Sequence, residues 1–226
     1  MGDGLAFLLL LVALPVLLGL VLWGKRQRVK RIEQWALATG WTHVGSDSSL
    51  VARWQGQPFR IGRSKRTFEV LRGSFRGRPA QSFAYRYTTG SGKEQSTVTF
   101  HVVSMALPAY LPTLELTPDG LGARLAKAFG GQDLRFESEA FNAAWRAEAP
   151  MTKFAYDVVH PRLMERLLQG EARGMSLRIE GTDILCWSNG TPDLDAIAGR
   201  LQVLAAVVDA VPRFVWLEHG YDPGTA

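Results

Sequence analysis

Apolar residues run without a break from Leu5 to Trp23, LAFLLLLVALPVLLGLVLW, nineteen positions with no charge. A helix rises about 1.5 Å per residue, so the run covers about 28 Å, close to the ~30 Å hydrocarbon thickness of a bilayer. This predicts a transmembrane helix over 5–23. A signal peptide would carry positive charge ahead of its apolar run and a small-residue cleavage site behind it. Here only Asp3 and the amino terminus lie ahead, and WGKRQRVKR follows. Pro15 in mid-span is tolerable where neighbouring groups re-satisfy the freed backbone. The pattern then becomes helical, with Val29, Ile32 and Trp35/Ala36 on one stripe of RQRVKRIEQWALATG. It predicts a basic juxtamembrane helix over 25–39, closed by Gly40. That helix either continues the first or departs from it at Gly24.

Beyond Gly40 the period shortens to two. WTHV (41–44), LVARW (50–54) and PFRIG (58–62) read as short strands, with GQP as a tight hairpin between the last two. TFEVLRGSF (67–75) and PAQSFAYRYTT (79–89) flank RGR, and Phe83, Tyr85 and Tyr87 alternate on one face. GSGK (90–93) turns the chain into EQSTVTFHVVSMAL (94–107), where Val98, Phe100 and Val102 alternate. The expectation is an antiparallel meander of five to seven strands.

LPAYLPTLELTPDG (107–120) holds three prolines and reads as a seam, with a short strand TLEL inside it. GLGARLAKAFG (120–130) has helical spacing. DLRF and AAWRAEA read as strands, MTKFAYDVV and PRLMERLLQ as helices, and MSLRIEG (175–181) with TDILCWS (182–188) as a hairpin. PDLDAIAGRLQVLAAVVDAV (192–211) is an amphipathic helix whose core stripe is Leu194, Ile197, Leu201, Leu204 and Val208. LQVLAAVVDAV (201–211) is too short for a second membrane span and carries Asp209. The fold class expected is α+β: a transmembrane helix (5–23), a basic juxtamembrane helix (25–39), a mostly antiparallel β region (41–117) and an α+β lobe (118–220). That lobe comprises helices, a hairpin and the C-terminal amphipathic helix.

Charge changes the picture most at the front. Lys25, Arg26, Arg28, Lys30 and Arg31 follow the apolar run, and the positive-inside rule puts that flank in the cytoplasm. The expected location is therefore the cell membrane, single-pass, with the C-terminal domain cytoplasmic. Residues 25–86 carry fourteen Lys and Arg against three acidic residues, and the rest of the chain is mildly acidic. The expected partners are the lipid bilayer, anionic phospholipid head groups and a protein partner of unspecified kind, with no nucleic acid. The candidate membrane-surface residues are the five juxtamembrane cations together with Arg72, Arg76 and Arg78. Cys186 is the one cysteine, which excludes an intrachain disulfide.

Candidate chemistry is sparse. TTGSGKEQ lacks the first glycine and the serine or threonine of a phosphate-binding loop, and GSFRG is not a nucleophile elbow. His160 precedes Pro161, and a residue before proline is pushed out of helical geometry, so His160 reads first as the start of a helix at PRLMERLL. A site role is the alternative. ESE (137–139) could form a carboxylate pair, so Glu137, Glu139, Asn142 and His160 are the candidate pocket residues. No catalytic residue, metal ligand or cofactor is assigned.

In FESEAFNAAWRAEAPMTKFAYDVVHPRLMERLL (136–168), Phe141, Asn142, Trp145, Phe154, Ala155, His160, Pro161, Arg162, Glu165, Leu167 and Leu168 carry a resemblance. The chain is similar to a family of uncharacterised single-pass membrane proteins of high-GC Gram-positive bacteria. These share F-N, an aromatic, a short strand, then a helix ending in HPR and E-x-LL. The anchor, GW at 40–41 and LPAYLPTLEL are also similar, so the resemblance covers most of the chain. Ala147 and Thr152 depart from the pattern, which shows a valine and an acidic residue there. The resemblance implies a membrane-anchored domain and no particular activity. The function expected is a membrane-anchored cytoplasmic interaction or scaffold module. The alternatives are a lipid- or ligand-sensing domain on the inner leaflet and a membrane-bound enzyme.

Overall fold

The computed structural model describes residues 2–118 and 132–224, with side chains from Pro15 onward except those of Lys93, Gln132 and Asp133. The helix expected at 120–130 lies outside the described residues. The chain divides into two compact units, 1–43 and 44–226.

The first unit is mainly one helix, α1 (Gly2–Thr39), which continues through Gly24 without a break and holds Pro15 inside it. Its end is a Schellman cap. The Trp41 amide donates to the Ala36 carbonyl (2.8 Å) and the Gly40 amide to Leu37 (3.5 Å), with Gly40 at φ 71°. Trp35 and Trp41 meet edge to face across that cap at 5.6 Å. Among the described residues no helix is long and apolar enough to cross a membrane. The spanning segment expected at 5–23 lies partly outside the described side chains, which begin at Pro15.

The remainder is an α+β fold on a mostly antiparallel sheet. Its strands are β1 (Thr42–Gly45), β2 (Arg63–Phe75), β3 (Arg78–Thr89), β4 (Ser96–Pro118), β5 (Gln132–Leu134), β6 (Trp145–Ala149) and β7 (Ser176–Asn189). They run in the order β1-β2-β3-β4-β6-β5, and β7 pairs with β4. The helices are α2 (Glu139–Ala144), α3 (Thr152–Val158), α4 (Pro161–Leu167), α5 (Ala196–Ala210) and α6 (Arg213–Glu218).

The β2–β3–β4 meander forms as its alternation dictates. Arg76 and Gly77, both at positive φ, make the two-residue turn between β2 and β3. Two irregularities in β2 fall where Ser64 and Glu69 take positive φ, which is how a bulge absorbs an extra residue.

Four expectations are corrected. LVARW and PFRIG are not strands: 48–51 is a 3-10 turn, and the chain to 62 is irregular. Their apolar side chains are buried because this segment lies over the sheet. Leu50, Trp54 and Phe59 join Val70, Phe83, Tyr85, Tyr87, Val102 and Trp187 in one core cluster. Trp54 stacks on Phe83 at 5.9 Å, and Phe59 meets Tyr85 edge-on at 5.0 Å. The seam at 107–120 is not a boundary either, because β4 runs through it to Pro118. Nor is 175–188 a hairpin, since β7 is one strand. Both differences come from irregular pairing of β4 with β7, whose register shifts between Ala106 and Leu111 and again between Leu111 and Leu114. β4 advances from Ala106 to Leu111 while β7 moves only from Asp183 to Gly181. Pro108, which has no amide to donate, sits in the excess chain, and Gly181 takes φ 65° opposite it. The last correction is at the C terminus, where α5 starts only at Ala196 and a further helix, α6, follows it.

The irregular segment is fastened by charges. Arg178, 1 % exposed, donates to the carbonyls of Gln55 and Gln57 and to the Glu115 carboxylate at 2.6 Å. Its guanidinium lies 4.8 Å from the Trp187 ring. Asp183 accepts a two-pronged pair from Arg53 (2.7 and 2.9 Å) and the Trp54 indole N–H (3.1 Å). Removing one partner of a buried pair leaves a desolvated charge, a cost of about 3–5 kcal/mol. Arg178→Met is expected to lower stability by that amount, read from urea midpoints of the full chain in detergent. An unmoved midpoint would show that the segment is held by apolar packing alone.

Candidate functional site

The four candidate pocket residues do not come together. Glu137 is exposed. Glu139 and Asn142 line a cavity of about 380 Å³ with Arg135, Trp145 and Arg146, whereas His160 lines a different one, of about 550 Å³. The ESE run is explained by its serine: Ser138 caps α2, accepting from the Phe141 amide at 3.2 Å. Asn142 brackets the backbone of Phe136, accepting from its amide (2.9 Å) and donating to its carbonyl (2.7 Å). These bonds turn the chain from β5 into α2.

His160 takes the helix-start position that its proline implies. It is the N-cap of α4, extended at φ −83°, ψ 166°, with Pro161 in the first turn. Its Nε2 lies 3.0 Å from the Ala210 carbonyl at the end of α5; a carbonyl only accepts, so Nε2 carries the proton. That bond ties α4 to α5. Leu163 and Leu167 face the core, as their spacing requires.

The membrane-surface candidates divide. Lys25, Arg26, Arg28, Lys30 and Arg31 are all exposed on α1. Arg72 pairs with Asp47. Arg76 and Arg78 converge on Asp209, at 3.3 and 3.5 Å. The charge excess of residues 53–86 is thus partly matched by carboxylates from elsewhere in the chain. The Asp47 carboxyl is held below its ordinary value, first by its hydrogen bond from Ser49 and further by Arg72.

Sequence reading missed two arrangements. Ser82 and His101, both buried, sit on paired strands with Ser82 Oγ 2.9 Å from His101 Nε2. His101 Nδ1 accepts from the Asp193 amide at 3.3 Å, so Nε2 carries the proton and donates to the serine. Arg200 reaches the His101 carbonyl and Ser188 Oγ. At 0 % and 1 % exposure the pair fastens the start of α5 to the sheet and is closed to substrate. The only sequence signal is a histidine inside the apolar alternation TFHVV. The second arrangement is the set of arginines around Asp209. Arg162, Arg166 and Arg213 line the same cavity as His160, and Arg78 and Arg213 line an adjoining one of about 300 Å³. Among the described residues, no group of three or more His, Cys, Asp or Glu could hold a metal ion.

Burial pushes the Cys186 thiol up to about 12 and the Tyr85 phenol up to about 12. A raised value means that the folded state keeps a proton the unfolded chain releases. The contribution to stability is then complete below the unfolded values, about 8.5 and about 10, and is lost as pH climbs toward about 12. Urea midpoints should fall steadily above about pH 9, and Cys186→Ala should flatten the first part of that fall. Labelling of native protein by a thiol reagent at pH 8 should be negligible until denaturant is added.

No protein-family model and no curated protein matches the sequence. The fold is similar to that in the crystal structure of the mycobacterial trehalose monomycolate transport factor A, TtfA. The TM-score is 0.60 at 13% sequence identity, over 80% of this chain and 92% of that one. At that identity the likeness establishes a shared fold and leaves function to be argued from the residues.

Proposed function

We propose that the protein is a membrane-anchored interaction module: α1 crosses the membrane once, and the sheet domain works from the cytoplasmic side as a docking or scaffold unit. The observation that carries this reading is on α1. Val16, Leu17, Leu18, Leu20, Val21, Leu22 and Trp23 are each 47% to 62% exposed. At about 3.6 residues per turn these positions cover the whole circumference of the helix. No polar face remains to meet water, a pattern that belongs in hydrocarbon. With Leu5–Leu14, equally free of charge in the sequence, the apolar length matches a bilayer. Trp23 ends the run as an interfacial anchor, and five cations follow within nine residues. The helix continues about 24 Å beyond Trp23, carrying the basic turns through the head-group layer. Head groups of the anionic inner leaflet attract each such cation by about 1 kcal/mol.

One further feature supports the proposal. The resemblance of the F-N, HPR and E-x-LL run is to single-pass membrane proteins. The fold is shared with a mycobacterial transport factor. The alternative, a lipid-sensing domain held down by the sheet, is favoured less. Arg72, Arg76 and Arg78 are engaged with Asp47 and Asp209, so the lipid contact is assigned to the exposed cations of α1, Lys25, Arg26, Lys30 and Arg31 among them.

Fusion of reporters at Ala226 tests the arrangement. A cytoplasm-active fluorescent protein should be active there, and an exported phosphatase silent. The chain should stay in the membrane pellet through alkaline carbonate washing and leave it when 5–23 is deleted. An active phosphatase would reverse the orientation, and release of the intact chain by carbonate would remove the anchor.

A further inference from the structure

We propose that the corner between α4, α5 and α6 is a docking groove for an acidic, apolar-anchored peptide segment of a partner protein. This deepens the interaction-module reading by giving the partner a chemistry. The groove of about 550 Å³ has an apolar floor that includes Leu163, Ala206 and Val211, and arginines 162, 166 and 213 line it. Across the ridge of Asp209, Val211 and Arg213 it adjoins the second groove, of about 300 Å³, where Arg78 and Trp216 contribute. The two share that wall.

Charge complementarity selects the occupant. In the larger groove three arginines face one carboxylate, that of Asp209. Arg166 is held by Glu171 and Gln169, and Arg213 by Asp222 at 2.9 and 3.1 Å. Those side chains are therefore positioned in advance. Arg162, exposed on the first turn of α4, makes no ion pair or hydrogen bond among the described residues. Its guanidinium presents a fork of donors suited to a carboxylate. A free phosphate would be served by donors converging on one point, as in a backbone nest. Here the cations are spread along an apolar floor, and Arg166 and Arg213 already have partners. A segment that alternates apolar side chains with carboxylates meets both features. Interfaces of this kind draw on a buried apolar anchor for affinity and on arginine for orientation.

The test uses the purified full chain in nanodiscs of neutral lipid and a short fluorescein-labelled peptide of alternating leucine and glutamate pairs, read by anisotropy. Binding should be saturable. It should weaken as salt rises from about 50 to about 500 mM, which shortens the Debye length from ~14 to ~4 Å. Arg162→Glu should weaken it by roughly tenfold, whereas Arg173→Glu, exposed and outside the groove, should not. The Arg162→Glu protein should in turn bind the same peptide with lysine in place of glutamate. The proposal is overturned if the acidic peptide does not bind or if Arg162→Glu leaves its binding unchanged. It is also overturned if inorganic phosphate, or vesicles of phosphatidylglycerol, compete for Arg162 while the peptide does not. Because the protein is already embedded in lipid, failure here leaves the anchor reading standing, and the reporter fusions decide that reading independently.

Discussion

The sheet domain depends on one buried guanidinium. Arg178 sits in β7 with no exposed side-chain surface, and a charge taken out of water needs compensation on every side. It finds a carboxylate on the neighbouring strand, two carbonyls on the segment before β2, and the ring of Trp187. Burial raises the Glu115 carboxyl above its ordinary value, and the Arg178 charge opposes that rise. The irregular segment 46–62 has few strand partners of its own, so these side-chain bonds stand in for the missing ladder. Through them Trp54 and Phe59 are kept against Phe83 and Tyr85, and the aromatic face of the sheet is closed. The placement of Arg178 needs the irregularity at Gly181. Strict alternation would put residue 178 on the face opposite Asp183, Leu185 and Trp187. Gly181 at positive φ resets the parity, and Arg178 joins them.

The same logic governs the surface. A count of arginines between 53 and 86 suggests a strongly cationic face, but a count cannot say where the carboxylates fall. Asp183 and Asp209 come from distant parts of the chain and Asp47 from just ahead of the stretch, and each meets at least one of its arginines. The exposed pairs contribute little to stability, on the order of 0–1 kcal/mol each. Their effect is to reduce the long-range attraction that the sequence appeared to promise. Between Lys25 and Gly40 the sequence holds one acidic residue, Glu33.

What was legible in the sequence was what neighbouring residues decide. The α1 cap at Gly40, the β2–β3–β4 meander with its turn at Arg76–Gly77, the break at His160–Pro161 and the stripe of α5 all follow from spacing and local geometry. The failures were pairing decisions. LVARW and PFRIG look like strands because burial against a sheet face and membership of a sheet both demand apolar residues. MSLRIEG and TDILCWS look like a hairpin because a glycine at a bulge and a glycine at a turn share the same backbone freedom. Which it is depends on how many residues β4 uses opposite it. The site was harder for the same reason. His160 was placed correctly as a helix start, but the carbonyl it bonds lies fifty positions away at Ala210. Asp209 and Arg213, which share its groove, stand in a stretch that reads locally only as the end of a core helix.

The run from Phe141 to Leu168 shows how a sequence pattern divides between architecture and surface. Asn142 turns the backbone at Phe136, Trp145 donates its indole N–H to the Leu167 carbonyl at 3.2 Å, and His160 reaches Ala210. Phe154, Ala155, Leu163 and Leu167 are buried, and Pro161 sets the first turn of α4. Those residues build the corner between α3, α4 and α5, and their chemistry is consumed in doing so. Arg162 stands apart. It follows the proline, on the solvent side of the first helical turn, and the fold asks nothing of its guanidinium among the described residues. A helix start rigidly fixed by His160 and Pro161 limits where that long side chain can reach. The structural part of the motif thus gives a fixed base to its exposed charged members, Arg162 and Glu165.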